Sequence, residues 1–348
     1  MSFISLLKNN VISIDIGSFE TKVVIGCKKK DQLIIDKAFS FKTPDSAYMN
    51  GYIKYNNVLV NKVTNEFVMN NVKSGICYLS IKSTDIITRE ITIPVIEKKD
   101  IDGLLKYQLA EYLPMDYSKY VIQHRIINKF IEEGKEKLNI SVIAAPADMV
   151  DMHYNFVRDI GLRPVVLDYQ PNCIWKLFCF SNGINGKIKI EDKTIAAIDL
   201  GHDSTNVTII KEGIMKINRV IDMEDIKISS KTKELTIEKS SESEDIGNLC
   251  DKFSFYNGNI NNIRTSLESI LNRIDRMFKF FLSNDIGCGI DYIILYGGLS
   301  KINEIDKLFF DYFGIPTMIL NRIEKLNTLV DINKYINCLG LLIRNDGV

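Results

Sequence analysis

Val11-Ile12-Ser13-Ile14-Asp15-Ile16-Gly17-Ser18-Phe19-Glu20-Thr21-Lys22 decides how this chain is read. An apolar run delivers a carboxylate, Asp15, to the end of a strand, and Gly17 then allows a sharp turn and close backbone approach. The amides of that turn, with the hydroxyls of Ser18 and Thr21, suit a phosphate chain, and Lys22 adds a point charge. The pattern returns in the second half as Thr194–Leu200 followed by Gly201-His202-Asp203-Ser204-Thr205-Asn206. Asp15 and Asp199 together suit a magnesium ion that keeps its water while resting on phosphate.

The triplet Asp-Ile-Gly carries little by itself, because it recurs at Asp159–Gly161, Asp245–Gly247 and Asp285–Gly287. The first and third follow helical patterns, where the glycine reads as a helix stop. Asp245 falls in a polar loop. Only Asp15 and Asp199 close an apolar strand and precede a Ser/Thr-bearing turn into another strand. A third element, Ile293-Ile294-Leu295-Tyr296-Gly297-Gly298-Leu299-Ser300, places adjacent glycines after a buried strand, where a base or ribose can lie against bare backbone.

Outward from these loops the periodicity predicts strands at 11–16, 21–26 and 33–41, a helix at 57–69, and strands at 76–81 and 86–93. A helix at 97–113, strands at 120–127 and 138–144, a helix at 147–160, a strand at 163–168 and a helix at 171–180 follow. The second half repeats the opening with strands at 194–200, 206–211 and 216–221. A Ser/Glu-rich stretch, 239–247, reads as a mobile loop. A helix at 260–282, a strand at 292–296, a helix at 304–313, a strand at 317–320 and a helix at 332–343 complete the chain. Three strands and then helix–strand alternation, twice over, describe an α/β duplication.

Composition narrows the function. The 348 residues hold 44 basic and 44 acidic side chains and are 46% hydrophobic. That balance supports a full core and gives no general field for nucleic acid. Seven cysteines without a C-x-x-C spacing read as reduced thiols of the cytosol, and three dispersed histidines offer no metal centre. No apolar run approaches the ~20 residues that span a bilayer. Lys28-Lys29-Lys30 reads as a solvated hairpin tip, Trp175 with Phe178 and Phe180 as core, and His202 as a loop or surface residue. There is no Ser/His/Asp or Cys/His nucleophilic set.

Two aspartate–glycine loops, a late Gly-Gly and a closing helix resemble the layout of the actin, heat-shock chaperone and sugar-kinase superfamily. Within it the chain resembles the PilM family of type IV pilus assembly. Besides the loops, the likeness rests on Arg89-Glu90-Ile91-Thr92-Ile93-Pro94, Glu111-Tyr112-Leu113-Pro114, Ala144-Ala145-Pro146, Ile160-Gly161-Leu162-Arg163-Pro164 and Leu339–Arg344. The resemblance implies an actin-like, ribonuclease H-like duplicated fold with an inserted small subdomain of the FtsA type. The first domain would span 1–180 with the insert over 82–160, the second 190–325, and a closing helix, 330–344, would pack back on the first.

The resemblance further implies ATP and Mg2+ in the interdomain cleft, held by Asp15, Gly17, Ser18, Thr21, Lys22, Asp199, Gly201, Thr205, Gly297 and Gly298. It implies a cytoplasmic scaffold that binds the N-terminal tail of a PilN-like inner-membrane protein in a groove within residues 75–160. A pilus motor ATPase or a second copy would be further partners, and the membrane would be reached only through a partner. Three departures favour binding over hydrolysis: Val220–Asp225 replaces the family's Gly-Gly and Thr, the acid and lysine of the nucleoside side have no counterpart near 240–249, and Gln170 stands where relatives carry Glu. The alternatives are an active ATPase or small-molecule kinase, for which no general base is evident, and an FtsA-like division protein, whose membrane helix has no counterpart after Arg344.

Overall fold

A computed structural model describes residues 10–112, 116–181, 183–186, 188–222, 260–285, 287–326 and 328–344. The Ser/Glu-rich stretch, the 240–249 segment, Cys250 and Leu113-Pro114 lie outside the described residues. The chain divides into two units. One holds the chain to Gln170 apart from Lys30–Leu33, together with the end from Leu341; the other holds Lys30–Leu33 and Pro171–Gly340.

In the first unit β1 (Val11–Ile16) pairs antiparallel with β2 (Glu20–Lys29), and β3 (Gln32–Lys42) completes the meander. On its other side β1 runs parallel to β6 (Ile76–Ile81), which runs parallel to β10 (Arg163–Tyr169). Every residue of β1 is buried, which accounts for its unbroken apolar run in place of alternation. Ile12, Ile14 and Ile16 pack with Leu59, Val63 and Phe67 of α1 (Asn56–Met69) and Phe156 and Val157 of α3 (Ala147–Asp159).

The insert is a sheet of order β7-β9-β8, from β7 (Ile87–Pro94), β8 (Tyr120–Glu132) and β9 (Lys135–Pro146), with α2 (Lys98–Tyr112). Ile93, Leu138, Ile140 and Val142 bury Ile101 and Leu105 of α2 in a separate small core.

The second unit has the same order, β13-β12-β11-β14-β15. Here β11 (Thr194–Leu200), β12 (Ser204–Lys211) and β13 (Ile214–Asp222) are antiparallel, and β14 (Tyr292–Tyr296) and β15 (Thr317–Ile319) are parallel to β11. The helices are α4 (Gln170–Phe180), α5 (Ile260–Asn284), α6 (Ile305–Phe313) and α7 (Ile332–Leu341). Leu267, Ile270, Leu271, Ile274, Phe278 and Phe281 give α5 the core face that the spacing predicts.

Two hairpins differ from expectation. Between the strand predicted to end at 41 and the helix predicted from 57, where no element is predicted, lie β4 (Tyr48–Met49) and β5 (Tyr52–Ile53), joined by Asn50-Gly51 at φ 45° and 80°. Asn-Gly is a strong signal for such a turn, but two-residue strands are too short to show alternation. The β8–β9 hairpin runs past the predicted ends through Glu133-Gly134, at φ 50° and 74°. Cross-strand bonding carries the ladder there, where Phe130 and Ile131 face Lys137 and Glu136 and no apolar alternation marks the strands.

The glycines of the helical Asp-Ile-Gly triplets sit just beyond helices. Gly161 at φ 80° follows α3 and Gly287 at φ 83° follows α5, as a left-handed helix stop requires.

Candidate functional site

The first loop is built by register. Asp15 pairs with Lys22 on β2 and with Ser80 on β6, and Ser80 in turn pairs with Asp168 on β10. These four residues make one polar row across the carboxyl ends of the parallel strands, where open α/β sheets bind ligands.

Asp15 is only 3% exposed, and a buried carboxylate needs partners. Ser80 donates to its Oδ1 at 2.8 Å and Gln170 Nε2 at 3.0 Å. Lys22 Nζ lies 3.8 Å from Oδ2. Gln170 is itself buried, and its Oε1 has no hydrogen-bond partner. An orphaned acceptor beside a partnered carboxylate calls for a donor from outside the chain, such as the water shell of a cation.

The turn is clamped from below. Gly17 N–H donates to Glu20 at 3.1 Å, and a Cβ on Gly17 would lie 2.8 Å from that carbonyl oxygen. Thr43 donates its hydroxyl to the Gly17 carbonyl at 2.7 Å and its amide to Phe19 at 2.9 Å. Thr21 is wholly buried, with its hydroxyl 2.8 Å from that of Thr43. The turn is thus held by the Thr21–Thr43 pair, while Ser18 stays half-exposed. Behind Asp15, burial and then the Asp15 charge push the Tyr48 phenol well above its ordinary range. His153 lies 3.3 Å from that phenol, and its Nδ1 donates to the Met149 carbonyl at 2.8 Å. Burial holds the His153 pKa down at about 4, so the imidazole is neutral and accepts from Tyr48.

The second loop repeats the register with different side chains. Asp199, 7% exposed, pairs with Asn206 and with Tyr296, so these occupy the places of Lys22 and Ser80. Asn206 is buried and accepts from Asn218 at 2.8 Å, while its Nδ2 has no partner. The orphan here is a donor, which suits an anionic oxygen. Thr205 is wholly buried and pairs with Leu200, and Gly201 follows β11 half-exposed.

Gly297 joins this site. It sits at φ 90° and ψ 178°, and a Cβ there would run into the Asp199 carboxylate and lie 2.9 Å from the Leu200 carbonyl oxygen. Asn333 of α7 accepts the Gly297 amide at 2.9 Å and Ser300 donates to the Gly297 carbonyl at 2.7 Å. Gly298 opens a 3₁₀ turn with free space at its Cβ position.

The second unit therefore brings Asp199, Gly297 and Gly298 together, whereas Asp15, Gly17, Ser18, Thr21 and Lys22 belong to the first. Sequence reasoning passed over Ser80, Asp168, Thr43 and Asn333, and quoted Asn206 in the second loop without giving it a role. Ser80 carries a readable signal, a polar residue near the end of the apolar strand Ile76–Ile81.

Among the described residues no three His, Cys, Asp or Glu side chains gather as a direct metal-ligand set. Each unit by itself sets a buried carboxylate near an orphaned amide atom, an acceptor (Gln170 Oε1) in the first and a donor (Asn206 Nδ2) in the second. His202 Nδ1 contacts the neighbouring Asp203 carboxylate and is half-exposed.

The chain matches the family described as "Type IV pilus assembly protein PilM" over residues 13–336. Among solved structures it is similar to the "PilM-PilN type IV pilus biogenesis complex", at 19% identity and a TM-score of 0.76, covering 95% of this chain and 97% of that one. It is also similar to the ethanolamine utilization protein EutJ from Carboxydothermus hydrogenoformans, at 9% identity and a TM-score of 0.51, covering 97% and 90%. At these identities the solved structures speak for the fold, which is the duplicated actin-like one.

Proposed function

The chain belongs to the family of type IV pilus assembly proteins PilM, and from that premise we propose that it is a cytoplasmic scaffold holding the N-terminal tail of a PilN-like inner-membrane protein. The family match carries this reading. The solved relative of the same fold was captured as a complex with PilN and covers nearly all of this chain. Among the described residues no helix is long and apolar enough to cross a membrane, so we assign membrane attachment to that partner.

The groove is assigned to residues 75–160, which contain the inserted subdomain. Its edge strand β8 has a free edge, with Val121 exposed on one face and Ile126 and Ile131 on the other, and an extended peptide can add to such an edge. Titration of the whole protein with a peptide of the partner's N-terminal tail, followed by calorimetry, tests this. Saturable binding at micromolar concentration is expected. No heat at high micromolar concentration, with the fold intact by circular dichroism, would overturn it.

ATP with magnesium is the ligand we assign to the two loops. The orphaned Gln170 Oε1 and Asn206 Nδ2 support this, as does the bare backbone of Gly297. The Gly17 turn, Ser18 and Lys22 would face phosphate from the first loop, with Thr21 bracing that turn. Gly201, Thr205 and the Gly297-Gly298 turn would serve the second. Asp15 and Asp199 would hold magnesium through water, and the ion would neutralise phosphate charge. Gln170 offers an amide in place of a carboxylate to orient a water, which favours a binding role over turnover.

A further inference from the structure

At the end of the β11–β12 ladder opposite Asp199, Lys211 pairs with Thr194 and leads into the tight turn Glu212-Gly213, at φ 51° and 75°. Its ammonium donates to both carboxylate oxygens of Asp285 at 2.9 Å and lies 2.7 Å from Cys288 Sγ. Cys288 donates its thiol to Asp285 Oδ1 at 3.1 Å, and its amide closes the turn onto the Asp285 carbonyl at 3.2 Å.

Three groups of different chemistry are thus locked together just after α5, with the Lys211 and Asp285 side chains 19% and 30% exposed. They are ordered by one another and still reachable by a small oxidant. A nitrogen–sulfur distance of 2.7 Å is shorter than their van der Waals contact and matches the span of the two atoms joined through one oxygen. The described cysteines are all free thiols.

We propose that Lys211 and Cys288 form an Nζ–O–Sγ bridge in the presence of dioxygen, a reversible covalent clamp between the β12–β13 turn and the turn that follows α5. The lysine ammonium, the thiol and one dioxygen give the N–O–S linkage, one water and one proton. One N–O bond, one O–S bond and the two O–H bonds of water form, while two N–H bonds, the S–H and the O–O bond break, the second N–H giving up the released proton. Nitrogen and sulfur each give two electrons, and dioxygen takes four. Asp285, already on the ammonium, is placed to accept the proton on its way to solvent and keeps the amine pointed at the sulfur.

The clamp would reach a third element. Trp175 of α4 donates its indole N–H to the Gly213 carbonyl at 2.8 Å, so the single tryptophan of the chain sits on the turn that the bridge would pin. Oxidation therefore ties α5 to a turn that already carries α4, within one unit.

The test is the intact mass of the whole protein purified in air, without and then with dithiothreitol, beside a preparation kept anaerobic. Expected in air is a gain of one oxygen less two hydrogens, with peptide mapping joining Lys211 to Cys288. Expected on reduction is the return of the starting mass and a lower melting temperature, since a long chain loop is released. Cys288→Ser and Lys211→Arg should both lack the mass gain. Four outcomes would overturn the bridge: full alkylation of Cys288 after exposure to air, the mass gain persisting in Lys211→Arg, a loss of two hydrogens from a sulfenamide, or the same loss from a disulfide to Cys179, the exposed thiol of α4 that donates to the same Gly213 carbonyl at 3.3 Å. The first, third and fourth are read on the unmutated protein, so they stand even where a variant fails to fold.

Discussion

Replacing Gly297 by alanine tests the second loop at its tightest point. Two separate penalties meet there. The backbone lies at φ 90° and ψ 178°, a region essentially reserved for glycine, and occupying it costs an L-residue about 1–3 kcal/mol. The added methyl would also strike the Asp199 carboxylate and sit 2.9 Å from the Leu200 carbonyl oxygen and 3.1 Å from its carbon. The Leu200 atoms are backbone of the central strand and cannot swing aside as the Asp199 side chain could, so overpacking adds about 1–3 kcal/mol. A single shift of the turn would relieve part of both, which puts the expected loss at about 3 kcal/mol. In a unit the size of Pro171–Gly340 that lowers the melting temperature by roughly 6–12 °C.

Thermal unfolding followed by circular dichroism, near neutral pH, reads it. Gly314→Ala is the control, because Gly314 has φ 66° in the left-handed region with open space at its Cβ position. It should lose only the conformational part, about 1–2 kcal/mol. Gly298→Ala, with open space and no positive φ, should be near neutral. A Gly297→Ala protein that melts within roughly 1 °C of the parent, or no lower than Gly314→Ala, would refute the contact with Asp199.

Gln170→Glu removes the amide that donates to Asp15 at 3.0 Å and sets a second carboxylate against a buried one. The lost bond to a charged group costs about 1.5–3 kcal/mol. The new carboxyl would titrate above its unfolded value, so the deficit should widen as pH rises past the ordinary carboxylate range; a deficit independent of pH counts against the pairing. His153 gives the opposite slope. Burial lowers its pKa from 6.5 to about 4, so its contribution is whole above pH 6.5 and is lost as pH falls toward 4, where the unfolded chain takes the proton first. At about 1.4 kcal/mol per unit this amounts to about 3 kcal/mol, and urea unfolding of His153→Gln should show a correspondingly shallower loss; parallel pH profiles would exclude it. Millimolar ATP with magnesium, at micromolar affinity, should add about 2.7–4 kcal/mol and raise the melt by several degrees. The gain should vanish in Asp199→Ala, and an unchanged melt of the parent protein would mean that the loops no longer bind.

Much of this molecule is written locally. Val11–Ile16 and Thr194–Leu200 are buried on both faces, so their apolar runs mark central strands from sequence alone. The same context separates the two working aspartates from the Asp-Ile-Gly triplets that end helices, because a helix and a strand leave different spacings before the glycine. The duplication followed from such runs, and the family likeness, with the inserted subdomain it implies, from motifs a few residues long.

What surrounds each aspartate was decided only by the tertiary fold. Ser80 and Gln170 reach Asp15 from 65 and 155 residues away, through the parallel register of β1 and β6 and the end of β10. Thr21 is turned inward by Thr43, which no motif couples to it. Gly297 meets Asp199 because β14 lies beside β11, and Lys211 meets Cys288 across 77 residues of chain. Burial periodicity is a property of neighbours along the chain, so sequence displays it. The partner of a buried polar group is set by strand register and chain crossing, and these exist only once the sheet has formed.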